Sequence, residues 1–225
     1  MLLCCKSMFA HFKRVGVLTV RIEKKLQTRN AIMDAALGLL EERRSFSSLS
    51  LREISRHAGL VPTAFYRHFQ NMDELGLALV ESTSGTLRKL MRSARRQAGD
   101  QDLLVTSSVQ AFLLFVRLNR REFGFSVRER FGGSSVIRHA IAREIERFTL
   151  DLNEDLINFS LFSRIKSDDI EMISNLVVRT VINAAGEWLE IQDDQTLSQE
   201  HFRERLIKQV RLILLGSLAW SPRIP

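Results

Sequence analysis

Between Pro62 and His68 the run PTAFYRH carries a hydroxyl at Thr63, a phenol at Tyr66, a guanidinium at Arg67 and an imidazole at His68. Groups of this kind hold phosphate oxygens and base edges by hydrogen bonding and charge. Phe65 and Phe69 lie four apart and share one buried face of a helix, so Thr63, Ala64, Arg67 and His68 project outward with Tyr66 beside them. That face suits a DNA groove. A helical hairpin with a solvated basic face is the other reading of the pattern taken alone.

The elements that must position these residues span Ser50 to Phe69, SLREISRHAGLVPTAFYRHF. Ser50 is a good N-cap with Glu53 three residues on, a capping box, and Leu49 with Ile54 makes a hydrophobic staple. The first helix ends at Ala58-Gly59, where glycine tolerates a left-handed turn, and Pro62 suits the first position of the second. Two helices this close cross sharply, as in a helix-turn-helix. Upstream, Ile32, Ala35, Ala36, Leu39 and Leu40 form the stripe of an amphipathic helix from about Ile22 to Arg44 that roofs the hairpin. Its start carries Arg21, Lys24, Lys25 and Arg29, with Lys24 and Arg29 expected along a DNA backbone; a solvated helix end is the alternative.

Charge supports a nucleic-acid partner for this part of the chain. The net charge is +7, and up to Asn71 there are 12 Lys and Arg against 5 Asp and Glu, leaving 21 of each sign in the remainder. A basic head thus precedes a balanced body. The only cysteines, Cys4 and Cys5, are adjacent, cannot clamp a fold by pairing with each other and show no zinc spacing; free thiols fit a reducing cytoplasm. No signal peptide or stretch of about 18 apolar residues is visible, so a membrane partner is not expected. Glycine-rich phosphate loops, G-x-S-x-G and H-E-x-x-H are missing, and His11, His57, His68, His139 and His201 have no ligand spacing. We therefore expect no enzyme, metal or cofactor.

The expected fold is all-α. Residues 1–20 read as a flexible arm or extension, 21–72 as a three-helix DNA-binding domain, and 73–225 as an effector-binding and dimerisation domain. Past the loop Gln70-Asn71-Met72, Asp73 and Glu74 open a long helix to about Ala98. Helices then follow over about 101–119, 120–131, 135–162, 167–191 and 198–220, with breaks at Gly99-Asp100, Gly132-Gly133 and Lys166 to Asp169. Asp168 and Asp169 fit a helix start better than an acid/base pair. Most of the body's phenylalanines belong in a core, yet a pocket between long helices is expected. Phe112, Phe115, Phe123, Phe125 and Phe148 are its candidate walls, with Arg128, Glu129 and Arg130 of VRERF at its mouth or, as the pattern favours, in an exposed charged turn. Val178, Ile182, Ala185 and Leu189 on one helix, and Leu206, Val210 and Ile213 on the next, offer a two-fold dimer face or else finish the protomer's own core.

With these elements in view, TRNAIMDAALGLL, LSLREISRHAGLVPTAFYRHF and NMDELGLALV resemble the TetR family of bacterial one-component transcriptional regulators, over Gln27 to about Val80. RSFSSLSLREI followed by PTAFYRHF and DELGLAL is similar to the branch that represses unsaturated fatty-acid synthesis genes. The resemblance implies a homodimer reading a palindromic double-stranded operator and an apolar effector, acyl-CoA or an acyl carrier protein thioester, that shifts the spacing of the two heads. By position, Thr63 and Ala64 would meet bases, Tyr66 and His68 would touch phosphates, and Ser50 and Arg52 would anchor the supporting helix. Two departures stand out: the usual serine cap of the reading helix is Val61, and the lysine common after FYRHF is Met72. Regulation of drug efflux by hydrophobic or cationic compounds, and architectural DNA binding without an effector, remain as alternatives.

Overall fold

The computed structural model describes residues 3–41, 44–97 and 101–219, and among them every regular element is helical. In chain order these are α1 (Leu3–Leu40), α2 (Leu51–His57), α3 (Pro62–Phe65), α4 (Met72–Gln97), α5 (Gln101–Leu118), α6 (Arg120–Glu129), α7 (Ser135–Ile157), α8 (Ser167–Glu190) and α9 (Thr196–Leu218). Short 3₁₀ turns occupy Phe46–Ser48 and Ser160–Phe162. The expected break at Gly99-Asp100, the residue Trp220 and the tail after it lie outside the described residues.

The chain divides into two compact units. One holds residues 1–44 and 48–75, and the other holds 45–47 together with 76–225. The expected boundary at 72/73 thus falls inside the first turn of α4, and three residues of the loop between α1 and α2 belong to the second unit.

In the first unit, α1 buries Ile32, Ala35, Ala36, Leu39 and Leu40, the stripe read from the sequence, and α2 packs against it. The segment expected as a flexible arm or extension continues this helix backward to Leu3. Between Leu3 and Ile22 there is no proline and a single glycine, Gly16, so no residue there removes a hydrogen bond from the backbone ladder. Helix α2 begins at its Ser50 cap, whose hydroxyl accepts from the Glu53 N–H at 3.2 Å, and Leu49 and Ile54 are both buried as the staple requires. It ends at Ala58, after which Gly59 takes a φ of 67°. The α-helical part of the reading segment is shorter than expected. It covers Pro62–Phe65, and successive turns closed by His68 N–H to Phe65 C=O (2.8 Å) and Phe69 N–H to Phe65 C=O (3.0 Å) carry the chain on to Phe69.

In the second unit α8 is central, packing against α5, α6, α7 and α9. Its core gathers Phe112, Val116, Phe123, Trp188, Phe202, Leu206 and Val210. The Trp188 indole N–H is satisfied inside this core by the Leu113 carbonyl at 2.9 Å, which lets a large polar-tipped ring be buried. Helix α7 stops at Ile157 rather than Phe162, because the Asn158 side-chain amide turns back to the Glu154 carbonyl (2.8 Å) and competes with the ladder. Helix α9 starts two residues before the expected Ser198 cap, in a loop tied by Gln199 Nε2 donating to the carbonyls of Gln192 (2.9 Å) and Asp193 (3.2 Å).

Gly59→Ala places a Cβ on a left-handed residue and is expected to destabilise the first unit by about 1 kcal/mol. Chemical denaturation followed by helical circular dichroism measures this, and an unchanged midpoint would contradict the left-handed turn.

Candidate nucleic-acid interface and effector cavity

The reading segment is held from below by aromatic packing and from the side by one arginine. Phe65 and Phe69 are fully buried, their ring centroids 5.5 Å apart, and the Tyr66 ring stands edge-on to Phe65 at 6.0 Å. Arg29 reaches across from α1: its Nη1 donates to the His68 carbonyl at 3.0 Å, and the guanidinium lies 4.3 Å over the Phe69 ring. Arg29 was expected along a DNA backbone. These contacts commit it instead to closing the turn that ends the reading segment, because a planar cation satisfies a bare carbonyl and an aromatic face at once.

The residues expected to project outward do so only in part. Pro62, Thr63, Tyr66 and Arg67 are exposed, Tyr66 at 62%, while Ala64 and His68 are half-buried. Lys24, Ser50 and Arg52 are also exposed. Val61 precedes α3 with no side-chain hydrogen bond to the helix, so Pro62 at its first position defines the start. His68 is held below the usual imidazole value, first by burial and then by the neighbouring charges of Lys25, Arg29 and Arg67. It is therefore largely uncharged at neutral pH, and a phosphate drawing near would oppose three cations and favour its protonation.

One supporting pair had escaped the sequence reading. Arg44 donates to both carboxylate oxygens of Glu53, at 2.5 Å and 3.1 Å, bridging the loop after α1 to the first turn of α2. The Arg44 hydrogen bond is the main cause that lowers the Glu53 carboxyl below its usual range; the Ser50 backbone N–H contributes further, completing the capping box. The signal available in the sequence was only an arginine nine positions before a capping glutamate.

In the second unit, two cavities meet. The first, about 90 Å³, is walled by Leu87, Phe112, Phe148, Leu152, Val178 and Ile182 among others, with Arg95 and Ser108 as its polar groups. Arg95 is paired with Asp155, and the Ser108 hydroxyl is buried with no hydrogen-bond partner. The second, about 200 Å³, runs past Phe123, Ser126, Val127, Arg130, Phe131 and Glu144, and shares Leu87, Phe148 and Ile182 with the first. Among the expected pocket residues, Phe112, Phe123 and Phe148 line these spaces. Phe115 and Phe125 do not. Phe115 packs within the core, and Phe125 packs on Phe46. Arg128 is exposed and folds back toward Gly124, leaving Arg130 at the second cavity, where it donates to Asn183 Oδ1 at 2.6 Å.

The residues expected at a dimer face need correction. Val178, Ala185, Leu189, Leu206 and Val210 are buried within one protomer, and Ile182 and Ile213 pack against the same core. Helical periodicity marked an apolar face correctly but could not say whether the protomer or a partner covers it. The large apolar side chains left outward on these helices are Met172 and Leu176 on α8 and Leu197, Leu212, Leu215 and Leu218 on α9.

Among the described residues no cluster of His, Cys, Asp and Glu is placed to hold a metal ion, and no helix is long and apolar enough to cross a membrane.

Residues 32–79 match the bacterial regulatory proteins of the tetR family, and residues 102–214 match the tetracyclin repressor-like C-terminal domain. The chain belongs to the TetR family. Its fold is similar to that of the fatty acid degradation regulator FadR from Bacillus halodurans, at 16% identity with a TM-score of 0.67, covering 84% of this chain and 95% of that one. A TetR-family regulator from Syntrophomonas wolfei (13% identity, TM-score 0.70, 88% and 98% covered) has the same fold. So does a transcriptional regulator from Pseudomonas aeruginosa PAO1 (16%, 0.68, 86% and 93%). TetR-type regulators are non-enzymatic proteins that bind operator DNA, dimerise and bind small-molecule effectors. The chain is accordingly a ligand-responsive transcriptional regulator with an N-terminal helix-turn-helix and a C-terminal helical domain.

A carboxylate held below its ordinary value stabilises the folded state above its unfolded value, about 4.5, and that contribution is lost as pH falls through the folded value. Glu53→Gln should therefore lower the melting temperature at pH 7, and the gap from the parent should shrink below pH 4.5. A gap that is constant with pH would remove the Arg44–Glu53 pair from the account.

Proposed function

We propose that this regulator is a repressor, that it reads a palindromic operator through Thr63, Ala64, Tyr66, Arg67 and His68, and that its effector is a long-chain acyl thioester. The DNA assignment is supported by donors standing outward from a segment whose aromatic residues are buried beneath them. Lys24 and Arg52 add exposed positive charge for phosphates, while Ser50, Pro62 and Arg29 keep the backbone in place. A two-fold dimer presents two such segments, and the outward Met172, Leu176, Leu212 and Leu215 supply an apolar face for it.

One observation carries the effector assignment: two apolar cavities with three walls in common, Leu87, Phe148 and Ile182. A linear chain is the ligand shape that fills adjoining narrow spaces, and walls of this composition offer it burial rather than directional bonds. The Bacillus halodurans protein of the same fold is a regulator of fatty-acid degradation, which agrees with this reading. Control of unsaturated fatty-acid synthesis genes is the target we assign.

A second reading, a regulator of drug efflux, has its own support. Glu144 lines the second cavity with one carboxylate oxygen buried and unpartnered, a feature that favours a cationic ligand.

DNA duplexes selected from a randomised pool by the parent protein provide the probe. Tyr66→Ala and Arg67→Ala should each weaken binding to the selected duplex by about tenfold, within the range for loss of a phosphate or base contact. Unchanged binding in both would remove this segment from recognition.

Oleoyl-CoA should shift the affinity for that duplex severalfold, and Ile182→Trp, which fills the shared wall, should abolish the shift while leaving duplex binding intact. If oleoyl-CoA is without effect, a cationic dye releases the protein, and Glu144→Gln cancels the release, the efflux reading replaces the lipid one.

A further inference from the structure

The loop between α1 and α2 is split between the two units: Arg44 and Ser48 belong to the first, but Ser45–Ser47 belongs to the second. The grip is specific. The Phe46 N–H donates to Glu129 Oε1 at 2.9 Å in a fully buried hydrogen bond between residues 83 positions apart. Both residues are only 3% exposed. Phe46 also stands edge-on to Phe125, one turn earlier on α6, at 5.5 Å.

Glu129 is an unusual choice for this task, since a buried carboxylate with one unpartnered oxygen costs free energy that an apolar side chain would not. Its surroundings are nevertheless cut to its shape. A Cβ on Gly132 would collide with Glu129 Oε2, so the following turn leaves room for this carboxylate only because residue 132 has no side chain. A Cβ on Gly76 would similarly collide with Ile137 and lie 3.2 Å from Phe46. The loop, α4, α6 and α7 are thereby closely fitted around Phe46.

Helix α6 is only 10 residues long; its Phe123, Ser126 and Val127, with Arg130 directly after it, line the second cavity. One short, stiff element therefore faces the cavity with some residues and holds the loop with others. We propose that Glu129 is a positioning residue for operator binding, carrying the state of the cavity to the DNA-reading unit through the captured loop. A ligand that displaces α6 displaces Phe46 with it, and Ser48 lies two residues before the Ser50 cap of α2, so the covalent chain delivers the movement to the helix-turn-helix. This is a two-state coupling with a named physical link. It rests on the operator-binding reading above.

The same geometry supplies a reversible test. A Cβ at position 133 would lie 3.4 Å from the Ser47 Cβ, at the short end of the separation a disulfide spans. In a Cys4→Ser, Cys5→Ser background, the pair Ser47→Cys and Gly133→Cys should lock the loop when oxidised. With Glu129→Leu added to this background, oleoyl-CoA should shift the affinity for the selected duplex less than twofold while the pair is reduced, and oxidation, which ties the loop to the turn after α6 without the Phe46–Glu129 bond, should restore the parent's shift. In parallel, Glu129→Leu should weaken duplex binding about tenfold, while Glu129→Gln, which still accepts from the Phe46 N–H, should bind like the parent. A Glu129→Leu variant that binds the duplex like the parent, or one that keeps the full oleoyl-CoA shift with the cysteine pair reduced, overturns the proposal. A parent protein that selects no duplex overturns the operator reading instead. If a duplex is selected but oleoyl-CoA does not bind, the effector reading falls and the comparison of Leu with Gln at 129 still decides the positioning role.

Discussion

Four α-helical residues cannot hold their own shape in water, because one turn of helix fixes several dihedrals in return for a single hydrogen bond. The reading segment is that short, and it starts at Val61 without a side-chain cap. Its conformation is imposed from outside. Phe65 and Phe69 anchor it in the core of the first unit, Gly59 permits the left-handed turn that leads into it, and Arg29 closes its far end through the His68 carbonyl and the Phe69 ring. Everything that faces outward from Pro62 to His68 depends on that bracing. An arginine that resembles a phosphate ligand by composition thus fixes where the neighbouring donors stand.

The second unit has the opposite character. Its helices are long and its core is continuous around α8, so its shape is secure, but the packing leaves two adjoining apolar spaces. Empty apolar volume is costly in a protein interior and is retained where a ligand fills it. What makes such a cavity useful to a regulator is a mechanical path out of it. Helix α6 and the buried Phe46–Glu129 hydrogen bond form a short path that ends in the chain leading to α2.

Much of this architecture was legible because helix signals are local. The capping box at Ser50, the stripe from Ile32 to Leu40 and the acidic opening of α4 all follow from residues within one or two turns of each other. The misreadings share the opposite property. The partner of Arg29 lies 39 positions away, and that of Phe46 lies 83 away, so neither bond leaves a periodic trace. The apolar faces of α8 and α9 were visible, yet Val178 and Leu206 are covered by their own protomer whereas Leu176 and Leu212 are not. Periodicity finds a face, and only the fold says what lies against it. Phe125 likewise looked like a pocket wall by composition and proved to be the loop's packing partner.

The central claim is that the cavities and the reading segment are thermodynamically linked, and linkage is reciprocal. The direct test is to measure oleoyl-CoA affinity by calorimetry with and without saturating duplex. The account predicts that duplex changes oleoyl-CoA affinity by the same factor, and in the same direction, as oleoyl-CoA changes duplex affinity. An oleoyl-CoA affinity that is identical with and without duplex would contradict it.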